Sequence, residues 1–269
     1  MSLRSALLGL LIAASACADL DALPTGTAEQ QLSTHTQQAL DWANGWISEV
    51  IAQPGQLAEN VYTTSSPVLQ RMTTGVQARN RSVCGTVITM LFENSVGWTS
   101  SDFFHSFNKN LDSCQYGTVN GAQQGTSSPD AAQYQYKIAS CASTGTITFT
   151  PRTTITAVQA GDILAVRYPE RTDITGHVMM VRSVPVANAN LPAGPAGSTG
   201  YTVEVIDSTS TPHGAGDWRG GTTGQGLGTG TFVLYADANG SVVASRWSPT
   251  PADTNYDTIT HPLSIGGVN

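Results

Sequence analysis

Charged residues are scarce in this chain of 269 residues. Lysine, arginine, aspartate and glutamate together make up 12% of it, and the formal net charge is −7. No stretch concentrates lysine and arginine, so the sequence lacks the basic surface that nucleic-acid binding requires. Hydrophobic residues make up 40% and glycine occurs 27 times, which is typical of a β-rich exported protein. We therefore expect no nucleic-acid partner.

Long apolar runs are also rare. One run, from Ala6 to Ala14, follows Arg4, and no later run is long enough to cross a bilayer. A short apolar run between a basic residue and small residues predicts a secretory signal peptide over 1–18. We expect a flexible leader over 19–28 and a secreted or periplasmic protein.

Two processing routes for the signal peptide stay open. Ala14-Ser15-Ala16 fits an ordinary signal peptidase. The same residues followed by Cys17 also resemble a bacterial lipobox, although its first position is alanine rather than leucine. In the second case Cys17 would carry a lipid anchor, and the protein would be a lipoprotein, such as one of the outer membrane.

Cysteine is limited to four residues, and Cys17 would be either removed or lipidated. In an oxidising compartment the three others leave one without a partner. Cys114 and Cys141 flank a Gly/Gln/Ser-rich loop and a short helix, so we predict that these two form a disulfide. Cys84 is then a free thiol in an exported chain, which is a first hint of chemistry.

Helical patterns come before strand patterns along the chain. Four predicted helices occupy 29–53, a segment beginning at or just before Cys84, 101–111 with Ser101 as N-cap, and 127–141. After Gly145 the segments are strand-like, over 146–150, 155–168, 177–186, 202–209, 231–237 and 241–247. This order predicts an α+β fold. No linker or repeat interrupts it, so we expect a single domain over 29–269.

Three residues at the ends of predicted elements suggest nucleophilic catalysis. Cys84 begins a helix, where unpaired N–H groups and a nearby imidazole favour a thiolate. His177 opens an apolar strand, and Asp207 closes the next one, where it could orient the imidazole. Each has an ordinary structural alternative: a core cysteine, a loop-end histidine and a capping aspartate. Their order, Cys then His then Asp, favours a catalytic role over these alternatives.

The same residues lie in a wider pattern. A helix-starting cysteine, "GDILAV", a loop, "GHVMMV" and a strand ending in aspartate resemble the NlpC-type papain-like cysteine peptidases. The later run "VIDSTSTPHGAGDWRGG" is similar to an uncharacterised secreted bacterial branch of that superfamily, and the resemblance covers about 84–250. The chain departs from many members in having "SVCGT" rather than "DCSG" and an acid at position 207.

The resemblance implies a papain-like fold, with N-terminal helices packed on an antiparallel β-sheet or half-barrel. It implies Cys84 as nucleophile, His177 as base and Asp207 as the orienting residue, with no cofactor. The expected activity is a secreted cysteine hydrolase, a thiol amidase or peptidase of the cell envelope. Cell-wall peptide or a related amide is the expected substrate. The alternative is a catalytically inactive binding or scaffold protein with the same fold and an unreactive Cys84.

An acyl transfer also needs donors for the oxyanion. The backbone N–H of Cys84 supplies one, and we predict Gln77 or Asn80 as a side-chain donor. The alternative for both is ordinary loop polarity.

The glycine-rich segment after Asp207 contains candidate substrate-binding residues. We predict that His213, Trp218 and Arg219 line a cleft, with Arg219 gripping a carboxylate. The alternative is a long hairpin stabilised by an Asp217–Arg219 pair. His213 and Asp217 could also ligate a metal beside His177, but the spacing matches no compact zinc motif. We therefore predict no metal.

Overall fold

The computed structural model describes residues 33–171, 174–250 and 261–269. The predicted signal peptide, the leader, Cys17 and the start of the first predicted helix lie outside these ranges. Within them the chain contains four α-helices and three β-sheets. The α+β class predicted from the sequence is confirmed.

The helices begin close to where the sequence places them. Their bounds are α1 Thr34–Ala52, α2 Cys84–Val96, α3 Ser100–Phe104 and α4 Ala131–Ser140. Ser33, Thr99 and Asp130 cap α1, α3 and α4 with their side chains. The N-cap of α3 is therefore Thr99 and not Ser101. The N-cap of α2 is Val83, which offers no side-chain acceptor, so the first N–H groups of α2 lack a side-chain cap.

Two small sheets lie among the helices, where the sequence predicted none. The first contains β1 Leu57–Tyr62, β2 Val68–Gln70 and β3 Ala78–Ser82, in the order β1-β3-β2. Its β1 and β3 run parallel, while β2 and β3 are antiparallel. The second sheet is the short pair β4 Thr118–Val119 and β5 Ala122–Gln123. The expectation of helices first and strands second is therefore only partly correct.

The large sheet has eight strands. They are β6 Phe149–Pro151, β7 Ile163–Arg167, β8 Gly176–Val181, β9 Val186–Ala187, β10 Thr199–Thr209, β11 Gly226–Ala236, β12 Val242–Arg246 and β13 Leu263–Val268. The order is β12-β11-β10-β8-β7-β13-β6, with β9 paired to β10. Every pairing within it is antiparallel.

Both faces of the large sheet are buried. Successive side chains of a strand point to opposite faces, and in β8 Val178 and Met180 pack into a cluster with the helices. Met179 and Val181 pack into a second cluster on the other face. The continuous apolar run "VMMV" therefore reflects a strand with no solvent-facing side, as is usual for strands covered on both faces.

One predicted strand contains a turn. Residues Ile155–Ala157 form a short 3-10 helix, and β7 begins only at Ile163. Between them, the Asp162 carboxylate accepts the backbone N–H of Gln159 and forms a buried ion pair with Arg152. No helix within the described ranges is long and apolar enough to span a membrane.

The predicted disulfide between Cys114 and Cys141 is present, and Cys84 is a free, buried thiol. The bond joins the C-cap residue of α4 to the loop after α3, across 27 residues of sequence. It restricts a loop that carries little regular structure.

Replacing both half-cystines, as Cys114→Ala with Cys141→Ala, is expected to lower the free energy of unfolding by about 2–4 kcal/mol, because the unfolded chain regains loop entropy. Urea unfolding with and without reductant measures this. Reductant should weaken the wild type to the level of the double variant and leave the double variant unchanged. A wild type that is insensitive to reductant would contradict the expectation.

Candidate active site

Three elements converge where Cys84, His177 and Asp207 lie. Helix α2, which begins at Cys84, packs against β8 and β10. His177 is the second residue of β8, and Asp207 lies near the end of β10. β8 and β10 are neighbours, with Ile206 opposite Met180. The three residues predicted from the sequence are therefore brought together.

Gly176 explains why a glycine precedes His177. Its φ is +150°, and a Cβ at this position would collide with the carbonyl oxygen of Val166 on β7. Any larger residue would separate β7 from β8 at the point where His177 enters the sheet. The glycine of the "GHV" motif is thus required by strand pairing.

His177 connects the other two side chains. Its Nε2 lies 2.5 Å from Oδ2 of Asp207, and both groups are buried. The ring also forms a hydrogen bond with the sulfur of Cys84. Because Nε2 faces the carboxylate, Nδ1 is the nitrogen that forms the hydrogen bond with the sulfur.

The surroundings of Cys84 favour its thiolate. Burial alone would raise the pKa of this thiol. The positive charge and hydrogen bond of His177, together with the backbone N–H of Val178, outweigh burial and lower the pKa below its ordinary value. The sulfur thus lies among hydrogen-bond donors at the start of a helix.

The pKa values of His177 and Asp207 shift in the directions that complement the lowered pKa of Cys84. Burial would lower the pKa of His177, but the charge of Cys84 and the hydrogen bond to Asp207 raise it to about 9. Burial would raise the pKa of Asp207, but the charges of Arg219 and His213 hold it well below its usual range. At neutral pH these directions favour a thiolate–imidazolium pair beside an ionised carboxylate.

Arg219 holds the Asp207 carboxylate from behind. Its Nη1 donates to Oδ1 of Asp207 at 2.8 Å, and Nε and Nη2 form a two-point pair with Asp217 at 2.9 and 2.7 Å. The side chain is fully buried. Arg219 therefore cannot grip a substrate carboxylate as predicted, because its donors are already engaged. The Asp217–Arg219 pair considered as the alternative is present.

His213 also lies behind the site and not in a cleft. It is fully buried; its Nε2 is 3.0 Å from Oδ2 of Asp207, and its Nδ1 is 2.8 Å from the backbone oxygen of Trp247. The ring stacks on the Trp247 indole, with centroids 3.9 Å apart. The predicted substrate-binding role of His213 does not fit this position.

Trp218 differs from the other predicted cleft residues in being half-buried. It packs against the helix-side cluster, and its Nε1 has no hydrogen-bond partner among the described residues. It does not line the cleft beside Cys84. Nothing in its position supports the predicted contact with substrate.

Alternate glycines of β11 make room for this buried group. A Cβ at Gly228 would come within 2.7 Å of the Arg219 side chain, and a Cβ at Gly230 within 2.5 Å of the His213 ring. These two glycines lie on one face of the strand because side chains alternate. In the run "GLGTG" the glycines thus leave space for the large polar side chains of Arg219 and His213 against the strand backbone.

The predicted side-chain oxyanion donors lie elsewhere. Gln77 is exposed and contacts the backbone oxygen of Gly55. Asn80 is fully buried; it donates to Asn60 at 2.8 Å and accepts from Ser82 at 2.6 Å. Both predictions assumed that residues just before Cys84 in sequence also face its sulfur. Instead, Asn80 lies in β3 and Gln77 directly before it, and both side chains are directed to other partners.

Tyr62 is the residue that the sequence analysis missed. Its hydroxyl forms a hydrogen bond with Cys84, and burial together with the nearby charge of Cys84 raises the pKa of Tyr62. Strand β1, which carries Tyr62, is held by Asn60, whose amide exchanges two hydrogen bonds with the backbone of Leu227 on β11 at 2.9 and 2.8 Å. The small sheet therefore brings a hydroxyl donor to the sulfur.

A cleft of about 400 Å³ opens above Cys84. Tyr62 lies on one wall, Asp130 at the start of α4 on another, and Ile174 and Gly176 on the side of β8. The walls approach closely at Gly85, where a Cβ would meet the carbonyl oxygen of Pro129 at 2.5 Å. Cys84 is thus the one thiol with a path to this cleft among the described cysteines.

One group of described residues meets the spacing of a metal site. Ligand atoms of His177, Asp207 and His213 lie within 4.8 Å of one another. However, the Asp207 carboxylate already faces two imidazoles and Arg219. A further cation would be opposed by the Arg219 charge, so the arrangement fits an ion-pair network better than a metal centre.

Comparison with known proteins adds little to this geometry. No family model matches the sequence, and no solved structure matches it. An uncharacterised protein of Acanthamoeba polyphaga mimivirus is 34% identical over 128 residues, which cover 44% of this chain and 56% of that protein. The chain therefore spans about half the length of this relative, and the similarity assigns no activity.

The anchoring role of Arg219 is testable through stability. Arg219→Met removes the charge while keeping much of the side-chain length. It leaves the buried Asp217 carboxylate without its cation and Asp207 without one of its three partners. We expect the free energy of unfolding to fall by about 3–5 kcal/mol in urea titrations.

Arg79→Met is the matched control for this substitution, because Arg79 is exposed and pairs with Glu59 at 2.5 Å. Its loss should cost about 1 kcal/mol or less. Equal effects of the two substitutions would show that Arg219 is not an anchor.

Proposed function

We propose that this protein is a secreted cysteine hydrolase of the papain-like, NlpC-type class, which cleaves an amide bond through Cys84, His177 and Asp207. One observation carries the proposal. A free thiol at the start of a helix is hydrogen-bonded to an imidazole whose second nitrogen lies 2.5 Å from a buried carboxylate. This is the arrangement that activates a cysteine nucleophile.

The proposed reaction begins with the thiolate–imidazolium pair. The sulfur of Cys84 attacks the substrate carbonyl carbon, and the carbonyl oxygen becomes an oxyanion. His177 donates its proton to the leaving nitrogen as the C–N bond breaks, which releases an amine and leaves a thioester on Cys84. Asp207 keeps the ring oriented and stabilises its charged form.

Hydrolysis of the thioester completes the cycle. The now neutral His177 takes a proton from water, which attacks the thioester carbon, and the C–S bond breaks to release a carboxylic acid and the thiolate. The backbone N–H of Cys84 and the hydroxyl of Tyr62 are the donors that we assign to the oxyanion. Both assignments follow from groups that lie at the sulfur.

Cell-wall peptide is the substrate class that we propose, on the strength of the sequence resemblance. The cleft above Cys84 has room for an extended peptide segment, and its lining is mostly small or neutral, with Asp130 as the charged side chain. An oxidising, extracytoplasmic location is consistent with the Cys114–Cys141 disulfide.

Alkylation of Cys84 by iodoacetamide tests the proposal without a known substrate. We expect rapid alkylation at a pH of about 6, well below the pKa of about 8.5 of an ordinary thiol, because the lowered pKa of Cys84 preserves thiolate there. His177→Ala should slow this reaction about tenfold or more. Mass spectrometry of the Cys84 peptide gives the rate.

His105→Ala is the control for that variant, since His105 is an exposed histidine on the far end of α3, and it should leave the rate unchanged. Asp207→Asn is a poorer probe because it also removes a partner of Arg219. If Cys84 follows an ordinary thiol titration and ignores His177, the protein is instead a binding or scaffold protein with an inert thiol.

Tyr62→Phe tests stabilisation of the oxyanion separately from activation of the nucleophile. Loss of the hydroxyl should reduce release of new amines from a peptidoglycan digest by about 100-fold, while alkylation of Cys84 stays fast. Tyr201→Phe, on β10 and outside the cleft, is the control, and Cys84→Ala sets the background. Undiminished amine release by Tyr62→Phe would remove Tyr62 from the mechanism.

A further inference from the structure

His213 faces two hydrogen-bond acceptors. Nδ1 lies 2.8 Å from the backbone oxygen of Trp247, and Nε2 lies 3.0 Å from Oδ2 of Asp207. A carbonyl and an ionised carboxylate can only accept, so both contacts are hydrogen bonds only when both ring nitrogens carry a proton. The geometry therefore selects the imidazolium form of His213.

The charges around Asp207 support the same form. Cys84, Asp207 and Asp217 are the acidic groups of the buried cluster, and His177 and Arg219 are two of its cations. A positive His213 makes three charges of each sign, whereas a neutral His213 leaves a net negative charge in a buried place. The indole of Trp247, stacked 3.9 Å away, also favours a cation on the ring.

His213 and His177 share one oxygen. Both Nε2 atoms face Oδ2 of Asp207, and the ring centroids are 6.2 Å apart. Two positive rings at this separation repel each other, so His213 restrains how strongly Asp207 can hold a proton on His177. At the same time it fixes Oδ2 at the point that His177 reaches.

We propose that His213 is a positioning residue for the Cys84–His177 pair: a second imidazolium that fixes the Asp207 carboxylate and tempers its hold on the His177 proton. The inference rests on the proposed function. His177 can then release its proton to the leaving amine, which a buried carboxylate balanced by Arg219 alone would resist more strongly. This buried segment thus acts on the chemistry through Asp207, without touching substrate.

Four charged groups of the buried cluster surround His213. They are Asp207 from β10, His177 from β8, and Asp217 and Arg219 from the segment after β10. Cys84 and Tyr62 interact with the same carboxylate through its charge. Tyr168, Arg246 and His261 line a small cavity that also borders Trp247.

Titration of His177 by nuclear magnetic resonance tests the proposal in the full chain. In His213→Gln the repelling charge is gone, so the pH at which His177 loses its proton should rise by about one to two units. At a pH of about 10 the variant should keep the imidazolium that the wild type has mostly lost. A merely structural His213 would not move this titration, and an unchanged or lowered value in a folded variant overturns the proposal.

Two further measurements keep the outcome decisive. His105→Gln makes the same chemical change at an exposed histidine and should leave the His177 titration in place. If His213→Gln does not fold, nitrogen chemical shifts of wild-type His213 decide: two N–H groups support the proposal, and a bare Nε2 overturns it. A failure of the proposed function is detected in a separate experiment. In that case wild-type Cys84 reacts with iodoacetamide as an ordinary thiol does.

Discussion

Burial of the Asp207 carboxylate is the constraint on which the rest of the structure depends. A charge with no exposure to solvent is tolerated only when donors surround it, and here Arg219, His213 and His177 do so. These partners come from two separate parts of the chain, β8 and the segment after β10. The carboxylate receives all its hydrogen bonds only with this strand order, this fold of the segment after β10 and this starting point of β8. The same arrangement places the imidazole of His177 beside the thiol.

The glycine-rich segment between β10 and β11 is thus an internal support, although its composition suggests a surface loop. The Asp217 carboxylate accepts the backbone N–H groups of His213 and Arg219 as well as the guanidinium, so a short stretch folds around one acid. Arg219 also donates to the backbone oxygens of Asp207 and Gly226. The segment is therefore held by hydrogen bonds within itself and to the backbone of β10 and β11, in addition to its contact with the Asp207 carboxylate.

Much of this was predictable from sequence, and the parts that were not have physical reasons. Cys84, His177 and Asp207 could be found because each lies at or near one end of an element with a clear apolar pattern. Gln77, Asn80 and Arg219 were assigned wrongly because nearness to Cys84 or Asp207 along the chain was taken for nearness to substrate. Tyr62 was missed because β1 is short, half-buried and without alternation. Only its pairing with β3 and the hydrogen bonds of Asn60 to β11 reveal where Tyr62 lies.

The spaced glycines of β11 have a consequence for tracing the ancestry of such sites. A side chain at Gly228 or Gly230 would collide with Arg219 or His213, so the two sets of residues constrain each other sterically. A lineage that lost the histidine or arginine would have no steric reason to keep the glycines. These residues therefore form a pattern that can be searched for in sequences. The pattern is a histidine, an aspartate four positions later, an arginine two positions after that, and then glycines at every second position. It would distinguish descendants that kept the buried ion cluster from those that retain only the surrounding fold.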